Sequence, residues 1–333
     1  MMKPTRRAAT SNRASSGKTR GRWAASFKGA ALLSVAVVVA CSSDGDAEPK
    51  KLTVTPAANS ADFVSPLDAT PDPKGDKVYF TAIAADGTPA VFVSAATGGG
   101  VTKLASGAPL VAPFGIAISG DGQTLFVADS GADNGEDEEK GAIFTLPISG
   151  GTPAVLAGSE KTQPRGLEVL GSTVYFTGRE ADERVGVMKI GVAGGGRSAV
   201  AMGEPFEAPS GITLADDGTI FVADARSQAG SAVYRIASGG APEVFKDGIG
   251  LGYPAGVALS QDGKTLFISG REPGKGTDAV YQVKVSDKST TLLTDVFGNF
   301  EEAAGLHRAK GADVFAWADR SANNSGTVYV LGK

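Results

Sequence analysis

The chain has 333 residues, with 32 basic and 36 acidic side chains but only one histidine and one cysteine. This composition excludes a zinc site built from several histidines or cysteines. The 46 glycines are explained by turns and bends, because no phosphate-binding glycine loop accompanies them.

The first forty residues differ from the rest of the chain. They hold eight basic residues and no acidic one, and they end in an apolar run over residues 29–40. Twelve residues are too few to cross a bilayer, which takes about 20, so residues 1–40 are predicted to be a secretory signal peptide. Without them, 24 basic residues face 36 acidic ones, a net charge of −12. We therefore expect no binding of nucleic acid, which needs a basic surface.

The signal peptide is followed by the single cysteine. Val38-Val39-Ala40-Cys41 resembles the lipobox of bacterial lipoproteins, whose cysteine is acylated, for example with palmitate, and becomes the mature N-terminus. The resemblance implies lipidation at Cys41 and an extracytoplasmic protein anchored in the cell envelope, at the outer membrane of a Gram-negative host. The alternative is a signal peptide cut elsewhere beside an incidental cysteine. Residues 41–50 are polar and are expected to form a flexible tether.

Beyond the tether, one sequence motif is written six times. Two clear copies run from Pro113 to Asp129 and from Pro209 to Asp224. The motif glycines are spaced by 51, 45, 45 and 49 residues, and they are Gly115, Gly166, Gly211, Gly256 and Gly305. Asp68 takes the place of the glycine in the first copy, 47 residues earlier. A period of about 40–50 residues with several short strands per unit is typical of propeller blades.

Each copy predicts four strands joined by glycine turns. In the unit over residues 209–247, an Asp217-Gly218 turn and a Gly239-Gly240 turn separate runs of β-branched and aromatic residues. The last unit has only three strands, whereas Lys51–Thr55 is a spare strand at the other end of the domain. We predict that this strand becomes the outer strand of the last blade.

The predicted fold is therefore all-β. Residues 51–333 are expected to form a single six-bladed β-propeller, with four antiparallel strands per blade and the last blade closed by the N-terminal strand. A linear array or a β-sandwich with similar hairpins is the alternative.

The repeated Pro-x-Gly, Asp-Gly and Phe-Val-Ala-Asp segments resemble the NHL-type repeat. They also resemble the gluconolactonase, senescence-marker-protein and strictosidine-synthase group of six-bladed propellers, over residues 65–331. The resemblance implies that the loop into the first strand of each blade opens at the mouth of a central channel. Lactonases of this group hold a divalent metal with a Glu, an Asp and Asn residues of these loops. None of the six residues at these positions is Asn; they are Leu67, Phe114, Arg165, Ser210, Ala255 and Ala304.

Residues at which the copies disagree are the candidates for function. We predict a ligand-binding group at the channel mouth formed by Phe114, Arg165, Glu168, Ser210, Tyr253 and His307. Glu168 and His307 lie two positions after their motif glycines, in units three apart and so on opposite sides of the channel. The structural alternative is that both are simply hydrogen-bonded residues in a wet channel. No catalytic residue is predicted, because a Ser-His-Asp triad would have to use His307 and no Gly-x-Ser-x-Gly elbow is present.

The leading function is a non-enzymatic binding or scaffold module of the cell envelope, and the alternative is a metal-dependent lactone or ester hydrolase. A monomer is expected, with a small molecule or an envelope protein as its partner. No cofactor is expected. The acidic loop over residues 129–140 is the alternative site for calcium, although it lacks the Asp-x-Asp-x-Asp-Gly spacing of a compact calcium loop.

Overall fold

The computed structural model describes residues 52–132, 140–225, 231–272, 274, 278–293 and 303–333. The predicted signal peptide, Cys41 and the tether lie outside these ranges. Within them the chain is all-β, apart from one 3-10 turn at Ala322–Asn324. None of the described ranges contains a helix long and apolar enough to cross a membrane.

The strands of the first three units follow the predicted hairpins. They are β1 (Val54–Ala58), β2 (Phe63–Pro71), β3 (Lys77–Ala84), β4 (Pro89–Ala95), β5 (Thr102–Ser106), β6 (Pro113–Ile118), β7 (Thr124–Asp129), β8 (Ala142–Pro147), β9 (Ala154–Val155), β10 (Leu167–Leu170), β11 (Thr173–Arg179), β12 (Val185–Gly191) and β13 (Ser198–Met202).

The strands of the last three units complete the set. They are β14 (Pro209–Leu214), β15 (Ile220–Asp224), β16 (Ser231–Ile236), β17 (Pro242–Leu251), β18 (Val257–Leu259), β19 (Thr265–Arg271), β20 (Asp278–Lys284), β21 (Thr290–Leu293), β22 (Ala303–Arg308), β23 (Phe315–Asp319) and β24 (Thr327–Leu331).

Antiparallel sheets of four strands are the recurring structural unit. Strands β2–β5, β6–β9 and β10–β13 each form one sheet, and β22–β24 form another together with β1. The predicted all-β class and the four-stranded antiparallel sheets are confirmed. Strand β17 runs beyond the unit predicted over residues 209–247, and its Gly250 and Leu251 pair with Arg271 and Gly270 of β19. This extension joins two successive units into one eight-stranded sheet.

Successive units lie side by side through their innermost strands. Strands β2, β6, β10, β14, β18 and β22 contact one another in that order, and β22 also contacts β2. Each of six hydrophobic clusters combines residues from two neighbouring units. One of them packs Phe63, Phe80 and Phe92 of the first unit against Val314 and Val328 of the last. Burial of apolar surface between units thus holds each sheet against its neighbours.

The two ends of the described chain meet in one sheet. Strand β1 pairs antiparallel with β24, and Val54 lies opposite Leu331. Asn59, which follows β1, strengthens this strand pairing. Its side-chain amide donates to the Gly326 carbonyl at 3.0 Å and to the Thr327 hydroxyl at 2.9 Å. The N-terminal strand therefore supplies the fourth strand that the last unit lacks.

The motif glycines serve contacts between units rather than turns. A Cβ atom added to Gly115 would lie 1.9 Å from the Arg165 carbonyl oxygen of the next unit, and one added to Gly305 would lie 1.8 Å from the Asp68 carboxylate of the first unit. Our explanation of the glycines by turns and bends is therefore wrong at these positions. Hairpin glycines such as Gly218, with φ of +82°, do follow it.

Candidate functional site

Four ionisable side chains meet among the inner strands and are called the central cluster: Asp68, Glu168, His307 and Lys310. The His307 Nε2 atom lies 3.0 Å from the Asp68 Oδ2 atom, and its Nδ1 atom lies 3.9 Å from the Glu168 Oε2 atom. The Lys310 ammonium group is bonded to the Glu168 carboxylate and donates to the Val169 carbonyl at 2.8 Å. Negative and positive groups therefore alternate along the cluster, which joins the first, third and last units.

Asp68 has a place in this cluster because it replaces a motif glycine. Its carboxylate lies against Gly305, where no side chain intervenes. It also accepts hydrogen bonds from the backbone N–H of Ala69 at 2.8 Å and of Ile116 at 2.9 Å. The carboxylate thus contacts the last, first and second units at once, and its oxygens are fully engaged.

Burial and mutual charge set the protonation of the cluster. Burial on its own would lower the pKa of His307, but the carboxylates of Asp68 and Glu168 raise that pKa to about 10. Burial on its own would raise the pKa of Glu168, but Lys310 and His307 bring that pKa down to about 2. His307 and Glu168 are only 5% and 8% exposed. At neutral pH the pair is therefore an imidazolium and a carboxylate that neutralise each other.

A second group of side chains lies at the loops that lead into the inner strands. The ring centroids of Phe114 and Tyr253 are 5.8 Å apart in an edge-to-face arrangement. The Arg165 guanidinium carbon lies 5.4 Å from the centre of the Tyr253 ring, within cation–π distance. We call these three residues the aromatic–arginine cluster. Each comes from a different unit, and all three are among the predicted ligand-binding residues.

A narrow pocket connects the two clusters. The pocket is lined by Phe114, Arg165 and Ser210, together with Asp68 and His307 of the central cluster. The empty volume is about 240 Å³, but only about one water molecule fits into the enclosed part. A ligand larger than water would therefore contact the aromatic–arginine cluster rather than the central cluster.

Two arginines near Tyr253 have donors with no acceptor among the described residues. The Arg165 side chain has no acidic or hydrogen-bonding partner among the described residues, only the Tyr253 ring. Arg179 interacts electrostatically with the same tyrosine and pairs with Glu183 through one terminal nitrogen. Its buried Nε atom has no hydrogen-bond acceptor within the described part of the chain. Donors left unmet at a partly buried position are costly, and a ligand acceptor would satisfy them.

The six predicted ligand-binding residues do not form one group in the structure. Phe114, Arg165 and Tyr253 converge, whereas Glu168 and His307 face each other in the central cluster. Ser210 lines the pocket but is only 1% exposed, and its hydroxyl oxygen accepts a hydrogen bond from the Ala255 N–H at 2.9 Å. This hydroxyl therefore connects two neighbouring units.

The candidate calcium loop is described only in part, because residues 133–139 lie outside the described ranges. Its first residue, Asp129, accepts hydrogen bonds from the N–H groups of Val111 at 2.7 Å and Ala112 at 2.8 Å. Asp224 does the same for Glu207 and Ala208, both at 2.9 Å. The recurring aspartate after the second strand thus fixes the loop that leads into the unit, as a repeated structural residue would.

Sequence reasoning missed Lys310 and noted Asp68 only as the residue that takes the place of a motif glycine. Lys310 lies in a hairpin turn, where a charged residue normally indicates only solvent exposure. One signal was available in the repeat. The residue five positions after the motif glycine is basic only in the last copy, where it is Lys310. In the other copies with a motif glycine it is Gly120, Gly171, Asp216 or Gln261. Its length allows it to reach Glu168 across the inner strands.

Comparisons by sequence identify no relative: no family model matches the chain, and no curated protein matches it. Solved structures do match. TolB from Acinetobacter baumannii superposes with a TM-score of 0.55 at 13% identity over 70% of this chain, which spans only 55% of that protein.

Two further structures match over most of both chains. The PQQ-bound aldose sugar dehydrogenase from Streptomyces coelicolor gives a TM-score of 0.58 at 12% identity, with 85% of this chain and 99% of that one covered. The arginine-to-alanine mutant of AofleA from Arthrobotrys oligospora gives 0.61 at 11% identity, covering 84% and 87%. Identities this low show the fold alone. This chain therefore has a β-propeller fold, as the repeat period predicts.

Proposed function

We propose that this protein is a lipid-anchored, extracytoplasmic binding module of the bacterial cell envelope, built as one closed ring of six blades. The closed ring is supported by the contact of β22 with both β18 and β2 and by the pairing of β1 with β24. The envelope location and the anchor at Cys41 rest on the basic leader and the lipobox-like segment. The NHL-like motif supports the same arrangement.

The main support for a binding function is that the side chains of Phe114, Arg165 and Tyr253, which come from three different units, lie close together. Tyr253 is 39% exposed, so it is available to a partner, and Arg165 presents donors that no described residue accepts. Aromatic and arginine side chains are the types that dominate binding energy in recognition sites. A ligand at this point would rest on two rings and one guanidinium group.

The polar groups below the pocket support binding rather than catalysis. A general base at neutral pH needs a pKa near 7, whereas the pKa of His307 is raised to about 10 and that of Glu168 is lowered to about 2. Both groups are held in ion pairs. Neither group therefore gains and loses a proton readily at pH 7.

The hydrolase alternative finds little support in the residues themselves. A divalent metal would need several oxygen ligands directed at one point. Asp68 and Glu168 instead lie on opposite sides of the His307 ring, and each is already bonded to a cation. The described residues contain no group of three or more His, Cys, Asp or Glu side chains arranged to hold a metal ion. These residues do not fit a lactonase metal site.

A ligand screen with the full chain tests this proposal. Small molecules extracted from a bacterial envelope are expected to raise the thermal midpoint of the wild-type protein but not that of a Phe114→Ala/Tyr253→Ala variant. The matched control is Val155→Ala/Val244→Ala, which removes two other exposed apolar side chains and is expected to retain the shift.

Two results would contradict the proposal. One is a ligand shift that survives the loss of both aromatic rings. The other is turnover of a lactone or ester panel by the wild-type protein that Glu168→Gln abolishes, which would favour the hydrolase.

A further inference from the structure

Two arginine side chains with unmet donors act on Tyr253. The Arg165 guanidinium lies over the ring and has no acidic partner among the described residues. Arg179 exerts a Coulombic effect on the Tyr253 phenol and pairs with Glu183, an exposed carboxylate four residues further along the chain. In a chain with more acidic than basic residues, acidic partners are abundant. None of the described carboxylates pairs with Arg165, so its positive charge is uncompensated within that part of the chain.

The neighbouring groups also favour negative charge in a ligand. Burial raises the pKa of Tyr253, against the opposing effect of Arg165 and Arg179, so its phenol keeps its proton and can donate a hydrogen bond. The pocket below continues to His307, whose Nε2 atom is turned to Asp68. Hydrogen-bond donors and positive charge therefore predominate at the pocket entrance, where Arg165 and Tyr253 lie. The carboxylates of the central cluster are neutralised beneath it.

Two aromatic rings lie beside these donors. Phe114 and Tyr253 meet edge to face with their ring centroids 5.8 Å apart, and the Arg165 guanidinium group lies over the Tyr253 ring. A planar guanidinium matches a carboxylate in a fork of two parallel hydrogen bonds. The rings match a planar apolar group attached to that carboxylate.

We infer that the aromatic–arginine cluster is a binding site for a small organic anion, a carboxylate attached to a flat apolar group. This inference rests on the proposed binding function and specifies the chemistry of its ligand. Arg165 binds the carboxylate, the Tyr253 hydroxyl and Arg179 provide further donors, and the Phe114 and Tyr253 rings contact the flat group. The enclosed part of the pocket has room for only about one water molecule, so the ligand lies at the pocket entrance.

Benzoate and benzamide, which share a shape and differ in charge, are the probes. Saturation-transfer NMR titrations with the full chain are expected to show benzoate binding at least about tenfold more tightly than benzamide, because a hydrogen bond between two charged groups is stronger than one between a charged and a neutral group. Arg165→Gln is expected to remove this preference. Arg235→Gln is the matched control, since Arg235 is an exposed arginine paired with Glu243 on an outer part of its sheet, and it should bind benzoate as the wild type does.

The outcomes separate this inference from the proposed function. Equal binding of benzoate and benzamide, both lost in Tyr253→Ala, would overturn the anion site and leave the binding function intact. Unchanged benzoate affinity in Arg165→Gln, or no benzoate binding by the wild type, would also overturn it. The proposed function itself is tested by the envelope-extract screen and the lactone and ester panel, neither of which makes an assumption about ligand charge.

Discussion

At the scale of single residues, the central cluster is an internal ion network that connects three units. His307 sits between two carboxylates, and Lys310 adds a second cation beside Glu168. A buried ion pair gives little net stability compared with an apolar replacement, but removal of one partner is costly because the other charge stays buried. The network therefore makes the first, third and last units depend on one another.

Replacement of His307 by Gln is expected to lower the free energy of unfolding by about 3–5 kcal/mol near pH 6. The folded-state pKa of about 10 exceeds the ordinary histidine pKa of 6.5. The imidazolium therefore stabilises the fold fully below pH 6.5, and this contribution is lost as the pH rises towards 10. Urea unfolding at pH 6, 8 and 10 should show this decline in the wild type and its absence in the variant.

The matched control for this experiment is Lys264→Gln, which removes an exposed pair with Asp262 and should leave the pH dependence unchanged. His307 is the only histidine, so no other imidazole contributes in this range. If His307→Gln does not fold, Lys310→Gln provides a second variant, with lower stability expected at every pH above 4.5. Parallel stability curves for wild type and His307→Gln would contradict the assignment.

At the scale of elements, the inner strands are set by how closely successive units approach. Gly115 lies in β6 with the Arg165 carbonyl of the next unit directly above its Cα atom. The buried residue beside it, Ile116, is fully enclosed. The motif glycine and the apolar residue after it therefore act as one packing unit, with the glycine allowing contact and the apolar residue filling the gap.

Gly115→Ala is expected to destabilise the protein by about 1–3 kcal/mol or more, because its Cβ atom would overlap a backbone oxygen that cannot move alone. For a domain of this size each kcal/mol lowers the thermal midpoint by roughly 2–4 °C. Gly120→Ala is the control in the same unit, since a Cβ atom there would meet nothing within 4 Å. Equal midpoints for the two variants would show that close approach does not matter at Gly115.

Periodicity predicted the hairpins and the all-β class because strand alternation and glycine turns are local properties. The extension of β17 was not predictable, because Gly250 and Leu251 find their partners in the following unit. In the same way, the spacing of the copies marked Phe114, Arg165 and Tyr253 as exceptions but could not show that they touch. Lys310 was missed because its partner, Glu168, lies 142 residues away.

At the scale of the whole molecule, the first and last units are held together by three different means. Strand β1 pairs with β24, phenylalanines of the first unit pack against valines of the last, and Asp68 binds His307. Backbone pairing, apolar burial and an ion pair thus coincide at one junction. The closed ring that we propose needs this junction to be as strong as the others, because no covalent connection joins the first unit to the last.

A disulfide across the β1–β24 pair tests this junction. Thr55 lies directly opposite Val330, and residues opposite each other in antiparallel strands have Cα atoms about 4.5–5.5 Å apart, which suits a disulfide. In a Cys41→Ser background, Thr55→Cys/Val330→Cys is expected to form the bond on oxidation and to gain about 2–4 kcal/mol of stability. A non-reducing gel and thermal unfolding with and without reductant measure both effects.

The control is Val54→Cys/Val330→Cys. Its two side chains are one residue out of register and point to opposite faces of the sheet, so little bond formation is expected. Equal oxidation of both variants, or no oxidation of the first, would contradict the observed register.

The register of this junction also determines how the molecule responds to mechanical tension. Val54 begins β1 and lies opposite Leu331, which ends β24. The start of β1 and the end of β24 therefore lie at the same end of this strand pair. A force that pulls them apart loads the interstrand hydrogen bonds one after another, as in a zipper, rather than all together as in shear. Under tension between its ends, the protein opens first along this pair, while the sheets formed within single units bear no load until it has parted.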